Sequence, residues 1–324
     1  MNRIAVTGAS GFIGAAAVAA LVARGAGPRL RVLARGPVPE WMTNAGVAVW
    51  PGDLTGPDSL AGFCEQTDTL VHLASRIGGD ALLCTEVNET GTANLLAEAR
   101  RAGTTRVLYL STCAVYRDGE HRGARESVRG PGEPGDGLVT DPVSATSTTR
   151  LAAERLVRAA GGAVLRPHLV LGPGDRHVVP ALAGLLRAVP AWAAGGSART
   201  SIVSVTDLAA AIAALALAED FPSGEVFHVA DPRPVVMRDL LTAVCDLLDL
   251  PTPLVDLSLT EHRARVRAAA PGVTDHQWSL ATRDHWYDTD RIWTRTGVTP
   301  APFRQRLAEA RAWYRGEPTT DRVA

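Results

Sequence analysis

Short apolar, β-branched runs alternate with longer Ala/Leu-rich segments along most of the chain. Residues 3–8 (RIAVTG), 30–34 (LRVLA), 47–50 (VAVW), 69–74 (TLVHLA), 106–111 (RVLYLS), 162–166 (GAVLR) and 225–230 (EVFHVA) predict strands. Phe12 to Arg24 predicts a helix. So does the stretch from about Val87 to Ala102, which carries Leu95, Leu96 and Ala99 at helical spacing and stops before Gly103. The strands are apolar almost throughout, without alternation, so both of their faces are covered. Strands joined by helices, with right-handed crossovers, give an α/β fold with a Rossmann-like doubly wound parallel sheet. From about Met237 onward the pattern is helical and tryptophan-containing without further strong strands, which predicts a smaller C-terminal domain. The expected division is 1–170, with 201–230 returning to it, against 171–200 and 231–324. Arg117 to Val139 is rich in Gly, Pro and charge and reads as a long, mobile surface loop.

The 324 residues suffice for one large domain or two modest ones with a real core. A formal net charge of −1 gives no support for nucleic-acid or anionic-membrane binding. No apolar run approaches the roughly 20 residues of a membrane span. The Ala-rich run Leu208 to Ala218 follows Thr206 and Asp207 and reads as a packed helix, with Asp207 an acid of its first turn. The N-terminus shows no signal-peptide pattern, so a cytoplasmic protein is expected. Cys64, Cys84, Cys113 and Cys245 are too far apart for a CxxC redox or zinc site, and no metal is expected. The chain contains no lysine; every basic side chain other than histidine is arginine.

The segment TGASGFIG (7–14) places Gly8, Gly11 and Gly14 between the first strand and the first helix. Gly8 permits the tight turn, Gly11 lets a pyrophosphate approach the helix N-terminus, and Gly14 lets helix and strand pack closely. This is the signature of a dinucleotide site. An NAD site usually carries an acid at the end of the second strand; here that strand ends LARG, and Arg35 stands in the acid's place. A guanidinium there suits a 2′-phosphate, so NADPH is expected over NADH. The alternative is that Arg35 stacks on adenine and leaves both cofactors usable. Asp53, in GDLT (52–55), either accepts from the adenine amino group or is a helix-start acid.

These blocks resemble the extended short-chain dehydrogenase/reductase family, the NAD-dependent epimerase/dehydratase-like group. The resemblance runs in order through TGASGFIG, GDLT, HLAS (72–75), VNETGTANLL (87–96), LYLSTCAVY (108–116), RLAAERL (150–156), VLRPHLVLGPGD (164–175), IVSVTDLA (202–209) and GEVFHVA (224–230). It implies an NADP(H)-binding Rossmann domain, a C-terminal substrate-binding domain, and an active site in the cleft between them. It extends the cofactor contacts to Ser10, Phe12 and Ile13 in the turn, then Leu54, Leu73, Ala74, Ser75, Ser111, Arg150 and Pro167. Family members are often dimers through two Rossmann-domain helices, so a homodimer is a state the resemblance allows.

The family resemblance also implies a Ser or Thr on the substrate oxygen, here Thr112, and a Tyr-x-x-x-Lys pair on the next helix. In DPVSATSTTRLAAE (141–154) Thr146 stands where the Tyr would be and Arg150 where the Lys would be. Arg150 can still hold ribose hydroxyls and place positive charge near the nicotinamide. A threonine hydroxyl is a poor acid at neutral pH and cannot take the tyrosine's part. Epimerase and dehydratase chemistry, which begins by oxidising an alcohol, is therefore not expected.

Candidates to replace the tyrosine are His168, beside the nicotinamide in the family pattern, Tyr116, whose alternative is a packed residue, and the loop residue His121. Ser111, Cys113 and Ser144 could add hydrogen bonds but are weak acids. A further route uses a substrate whose own phenol is hydrogen-bonded to the reacting carbonyl. The resulting expectation is an NADPH-dependent ketoreductase acting on an aromatic ketone in polyketide antibiotic biosynthesis. The competing expectation is a catalytically degenerate NADP(H)-binding sensor or scaffold. Trp278, Trp286, Tyr287 and Trp293 either line a flat cleft for a polycyclic ligand or form core of the smaller domain. Arg166 reads as structural at a strand end.

Overall fold

The computed structural model describes residues 3–126 and 138–316. Seven strands, β1 (Ile4–Thr7), β2 (Leu30–Ala34), β3 (Ala48–Pro51), β4 (Thr69–His72), β5 (Arg106–Leu110), β6 (Ala163–Pro167) and β7 (Val226–Val229), form one sheet in the order 7-6-5-4-1-2-3. Every neighbouring pair is parallel. Strands β1, β4, β6 and β7 are buried along their whole length, which is why their sequences are continuous apolar runs.

The helices α1 (Phe12–Ala23), α2 (Gly91–Arg101), α3 (Ala145–Ala159) and α4 (Val205–Leu217) cover the sheet. Val18 and Leu21 of α1 and Leu208, Ile212 and Leu215 of α4 share one core with Val6, Val71 and Leu165. Leu95 of α2 and Ala153 and Val157 of α3 pack with Leu70, Tyr109 and Val164 in the other. The sheet reverses direction at β1 and β4, and ligands of open parallel sheets sit beyond the strand ends at such a switch point. Residues 8, 35, 53, 73–75, 111–112 and 168 all follow those ends.

Three sequence expectations change. The helix expected from Val87 is continuous with a turn at Ala81–Cys84 and passes through a π-helical stretch, Thr85–Thr90, before α2. The stretch expected to be all loop from 117 to 139 contains the strand His121–Ala124, paired in parallel with His285–Tyr287; residues 127–137 lie outside the described residues. The C-terminal part holds that second strand and another, Val255–Leu257, paired with Ala191–Ala193. Unlike the equally short strands at the centre of the large sheet, His121–Ala124 and Val255–Leu257 are largely uncovered and carry no continuous apolar run, so the sequence pattern passes over them.

A separate core gathers Leu171, Leu182, Trp192, Ile202, Met237, Leu240 and Val244. Trp293 does not belong to it: its ring packs in the core of the large sheet, and its indole N–H donates to the Ala230 carbonyl (2.8 Å). Asp207 accepts from Arg306 Nε (3.0 Å) and Nη2 (2.6 Å), tying α4 to the helix Phe303–Glu309. All four cysteines are buried free thiols. Among the described residues no helix is long and apolar enough to cross a membrane.

Candidate active site

A cavity of about 400 Å³ opens over the glycine turn. Gly8, Ser10 and Gly11 form its floor, Arg35, Asp53 and Leu54 one end, and Leu73, Ala74 and Ser75 the opposite wall. The turn needs its glycines. Gly8 has φ +74°, and a Cβ there would lie 2.6 Å from the Ala74 nitrogen. A Cβ on Gly14 would lie 1.9 Å from the Gly8 carbonyl oxygen. The first intrahelical bond of α1 runs from Ala15 N to Gly11 O, and no side chain caps the helix. The amides of Phe12, Ile13 and Gly14 therefore have no partner within the helix, and no acid occupies the first turn. These residues fit an anionic dinucleotide, with its pyrophosphate on the amides. Arg35 and Asp53 face each other across the cavity's end (3.8 Å), the arginine exposed and the aspartate half-buried. The Asp53 carboxylate also accepts from the Thr55 amide and hydroxyl (3.0 Å each), as a turn-stabilising acid does. Arg76 and Ile77, not singled out from sequence, border the same cavity just past β4.

His72 braces this floor. Its Nδ1 meets the Thr7 hydroxyl (2.7 Å) and its Nε2 the Thr92 hydroxyl (2.9 Å), linking β1, β4 and α2. Complete burial holds the ring neutral, with its pKa down to about 3. The sequence reading placed His72 only within a family block, because hydrogen bonds across three elements leave no local signal.

The start of α3 is organised by a capping box between Ser144 and Ser147. Within the same first turn, the Thr146 hydroxyl accepts from the Gly78 amide (2.9 Å). Asn88 donates to the Thr149 hydroxyl (2.9 Å) and pairs with both backbone groups of Arg76. The loop after β4 is thus stitched to α3 at two points. Arg150 turns back toward the sheet, where Nη2 donates to the carbonyls of Leu110 (2.8 Å) and Ser111 (2.7 Å). Its Nε and the Ser111 hydroxyl are buried without partners. These are two donors that a ribose could satisfy.

A second, smaller cavity of about 80 Å³ lies past the ends of β5 and β6. Thr112, Tyr116, His121, His168, His285 and Tyr287 contribute to its wall. Thr112 accepts from the Ala114 amide (3.1 Å), an ordinary turn bond that leaves its own proton available. The His168 Nε2 atom is buried without a partner. Burial, reinforced by the neighbouring His285, His121, His276 and His228, holds this imidazole well below its usual pKa. His285 is held neutral by burial, at about 4, and burial also lowers His121. His121 Nδ1 lies 2.8 Å from the Tyr287 hydroxyl.

Tyr116 is a packed residue. Its hydroxyl accepts from Arg166 Nη1 (2.6 Å) and donates to His228 Nε2 (2.6 Å). Arg166 closes a buried two-point ion pair with Glu154, through Nε to Oε2 (3.0 Å) and Nη2 to Oε1. Burial pushes the Tyr116 phenol well above its ordinary value and drops His228 to about 3. The aromatic C-terminal segment divides. Tyr287 lines this pocket, Trp278 packs in a core beside Val266 and Leu257, and the Trp286 ring lies over Gly123. Among the described residues no group of three or more His, Cys, Asp or Glu side chains is arranged to hold a metal ion.

The profile of the NAD dependent epimerase/dehydratase family matches residues 4–230. A 2-alkyl-3-oxoalkanoate reductase of Stenotrophomonas maltophilia is 31% identical over 273 residues, 80% of this chain and 78% of that protein. A 4-hydroxy-2-methyl-3-oxo-4-farnesyl-3,4-dihydroquinoline-1-oxide ketoreductase of Stigmatella aurantiaca is 31% identical over 75% of this chain and 72% of its own. Among solved structures, a UDP-glucose 4-epimerase of Thermotoga maritima superposes with a TM-score of 0.72 at 17% identity, covering 98% of this chain and 99% of that one.

Proposed function

The chain belongs to the NAD dependent epimerase/dehydratase family and is an NAD(P)H-dependent ketoreductase, and we propose that it reduces a ring ketone of a polycyclic aromatic polyketide, using NADPH and a phenol of the substrate itself. Within that class we name an angucyclinone, the substrate class of the angucyclinone ketoreductase of the simocyclinone pathway, as the proposed substrate.

The observation that carries this reading is the employment of the side chains around Thr112. The Thr146 hydroxyl holds the Gly78 amide, Arg150 holds two strand-end carbonyls, and the Tyr116 proton goes to His228. By the family resemblance, Thr146 and Arg150 take the two positions of the Tyr-x-x-x-Lys pair. His168 is neutral at physiological pH and offers a hydrogen bond more readily than a proton.

Bound over the glycine turn, the reduced nicotinamide cofactor supplies the hydride. The chain's own part is to hold the pyrophosphate on the α1 amides, the ribose near Arg150 and Ser111, and the carbonyl oxygen near Thr112. The alkoxide formed takes its proton from a phenol already hydrogen-bonded to that oxygen, and water then reprotonates the phenolate. Orientation and exclusion of water are what such a site contributes. The name of the Stigmatella relative's substrate specifies a fused-ring ketone next to a hydroxylated carbon. That chemistry supports a ring ketone with an adjacent hydroxyl here. The aromatic wall of Tyr287, His168 and His285 suits a flat ring edge.

NADPH oxidation by the purified protein tests the reading, with polycyclic ketones bearing an adjacent phenol paired with their O-methyl ethers. Oxidation with the phenols alone is expected. Equal rates with the ethers would assign the proton to the protein.

A further inference from the structure

Two short strands build the corner of the histidine-lined pocket where Tyr287 stands. His285 pairs with His121, Trp286 with Arg122 and Tyr287 with Ala124, so Gly123 is skipped in a bulge. Glycine is required there: its φ is +63°, and a Cβ would lie 2.8 Å from the Trp286 ring. Bulges recur beside active sites, where they re-aim a side chain. Residues two apart on a strand share a face, and His285 and Tyr287 both line the pocket. The Tyr287 ring is fixed on its sides. It stacks on Tyr116 with centroids 5.8 Å apart, and lies 4.8 Å from His228 and 5.4 Å from His168. Its amide donates to the Ser201 hydroxyl (3.1 Å).

The hydroxyl is placed differently from that of Tyr116, which is engaged on two sides by Arg166 and His228. Tyr287 Oη has one hydrogen-bond partner among the described residues, His121 Nδ1 at 2.8 Å. A tyrosine hydroxyl can donate and accept at once, so part of its bonding capacity is left open at the pocket wall. Burial keeps Tyr287 protonated, its pKa raised well above the ordinary value, and lowers that of His121. A neutral imidazole carries one N–H. With that proton on Nδ1, His121 donates to Tyr287 Oη, and the tyrosine's own proton is released toward the pocket.

We propose that Tyr287 is a catalytic residue of the reduction, its hydroxyl donating to the substrate's phenol oxygen, and that His121 is the positioning residue that turns the proton that way. The inference rests on the ketoreductase reading above and names the protein group that the substrate phenol meets. The carbonyl carbon gains the hydride of the reduced cofactor. The phenol O–H bond breaks, the alcohol O–H bond forms, and the negative charge passes from alkoxide to phenolate. The Tyr287 O–H bond stays intact throughout. Its hydrogen bond strengthens as the phenol oxygen becomes negative, so it favours the transition state over the ground state. With Thr112 on the ketone oxygen, the pocket addresses both oxygens of the substrate's hydrogen-bonded pair.

The probes are 8-hydroxy-1-tetralone and 1-tetralone, which differ by the phenol hydroxyl beside the ketone. Each is titrated calorimetrically into the full-length protein saturated with NADP+, which cannot deliver a hydride. The hydroxyketone is expected to bind about fivefold more tightly, the net worth of one hydrogen bond. Tyr287→Phe is expected to bring the two affinities together. His121→Phe is expected to lose the preference with Tyr287 still in place, and His121→Asn, whose amide nitrogen can stand in for Nδ1, to keep most of it. Equal affinities for the unaltered protein, no binding of the hydroxyketone, or a preference that survives Tyr287→Phe would overturn the assignment. This readout needs no turnover. Absence of NADPH oxidation with phenolic ketones counts against the ketoreductase reading alone, and absence of the hydroxyl preference counts against Tyr287 alone.

Discussion

The hydroxyl oxygen of Thr146 accepts a hydrogen bond from the Gly78 amide at 2.9 Å, joining α3 to the loop that follows β4. A residue that acts as the essential proton donor and one that holds a loop respond differently to deletion of the hydroxyl. Thr146→Val keeps the shape and removes the acceptor. We expect kcat with a phenolic ketone to fall less than about tenfold, whereas loss of a general acid costs about a hundredfold or more. Steady-state NADPH oxidation decides it; a hundredfold fall would make Thr146 part of the proton path.

Tyr116 gives the complementary case. Tyr116→Phe removes one hydroxyl and strands two buried partners, Arg166 Nη1 and His228 Nε2. The cost falls on stability, about 2 kcal/mol or more, because unsatisfied buried groups keep their full desolvation penalty. Urea unfolding should show a lower midpoint. Turnover measured well below the transition should stay within a few-fold of the parent. An unchanged midpoint with a large fall in kcat would return Tyr116 to the chemistry.

The sheet and the glycine turn were legible in the sequence because each dictates residue type at its own positions. Strands buried on both faces must be apolar throughout, as in Val164 and Leu165, and a backbone packed against Ala74 and Gly8 must lack Cβ atoms at Gly8 and Gly14. For Tyr116 the sequence offered the packed reading beside the catalytic one, but the partners that hold it were not legible. Its partners Arg166 and His228 are neighbours on β6 and β7, in register with each other but about 60 residues apart in the chain. The same holds for His121 and Tyr287, brought together by two short strands more than 160 residues apart. Hydrogen bonds set by strand register become visible only once the sheet is assembled.

Buried neutral histidines set the acid limit of stability. His72 and His228 titrate at about 3 in the folded chain and His285 at about 4, each because burial disfavours the charged ring. Their unfolded value is near 6.5. The unfolded chain therefore binds more protons below that pH, and the stability these rings provide is complete above pH 6.5 and lost as pH falls to about 4 for His285 and about 3 for His72 and His228. Each ring contributes a slope of up to about 1.4 kcal/mol per pH unit in that window. Urea midpoints at pH 7.5, 6.0 and 5.0 should fall steeply and in that order. A flat profile across the window would mean that the rings are charged or solvated in the folded protein.

The proposed use of NADPH rests on Arg35, the residue just past β2, where a diol-binding acid would otherwise stand. Its guanidinium is exposed and only 3.8 Å from the Asp53 carboxylate, so it is held loosely and remains free to meet a phosphate. Arg35→Asp reverses the local sign and sets two carboxylates side by side. A 2′-phosphate would then be repelled, while a ribose diol would gain an acceptor. The expected result is a loss of at least tenfold in kcat/KM for NADPH, the worth of one charge-assisted contact, together with a gain for NADH. The ratio of the two specificity constants is the quantity to measure. An unchanged ratio would mean that Arg35 stacks on the adenine and that a different group, with Arg76 on the same cavity wall as the next to test, reads the phosphate.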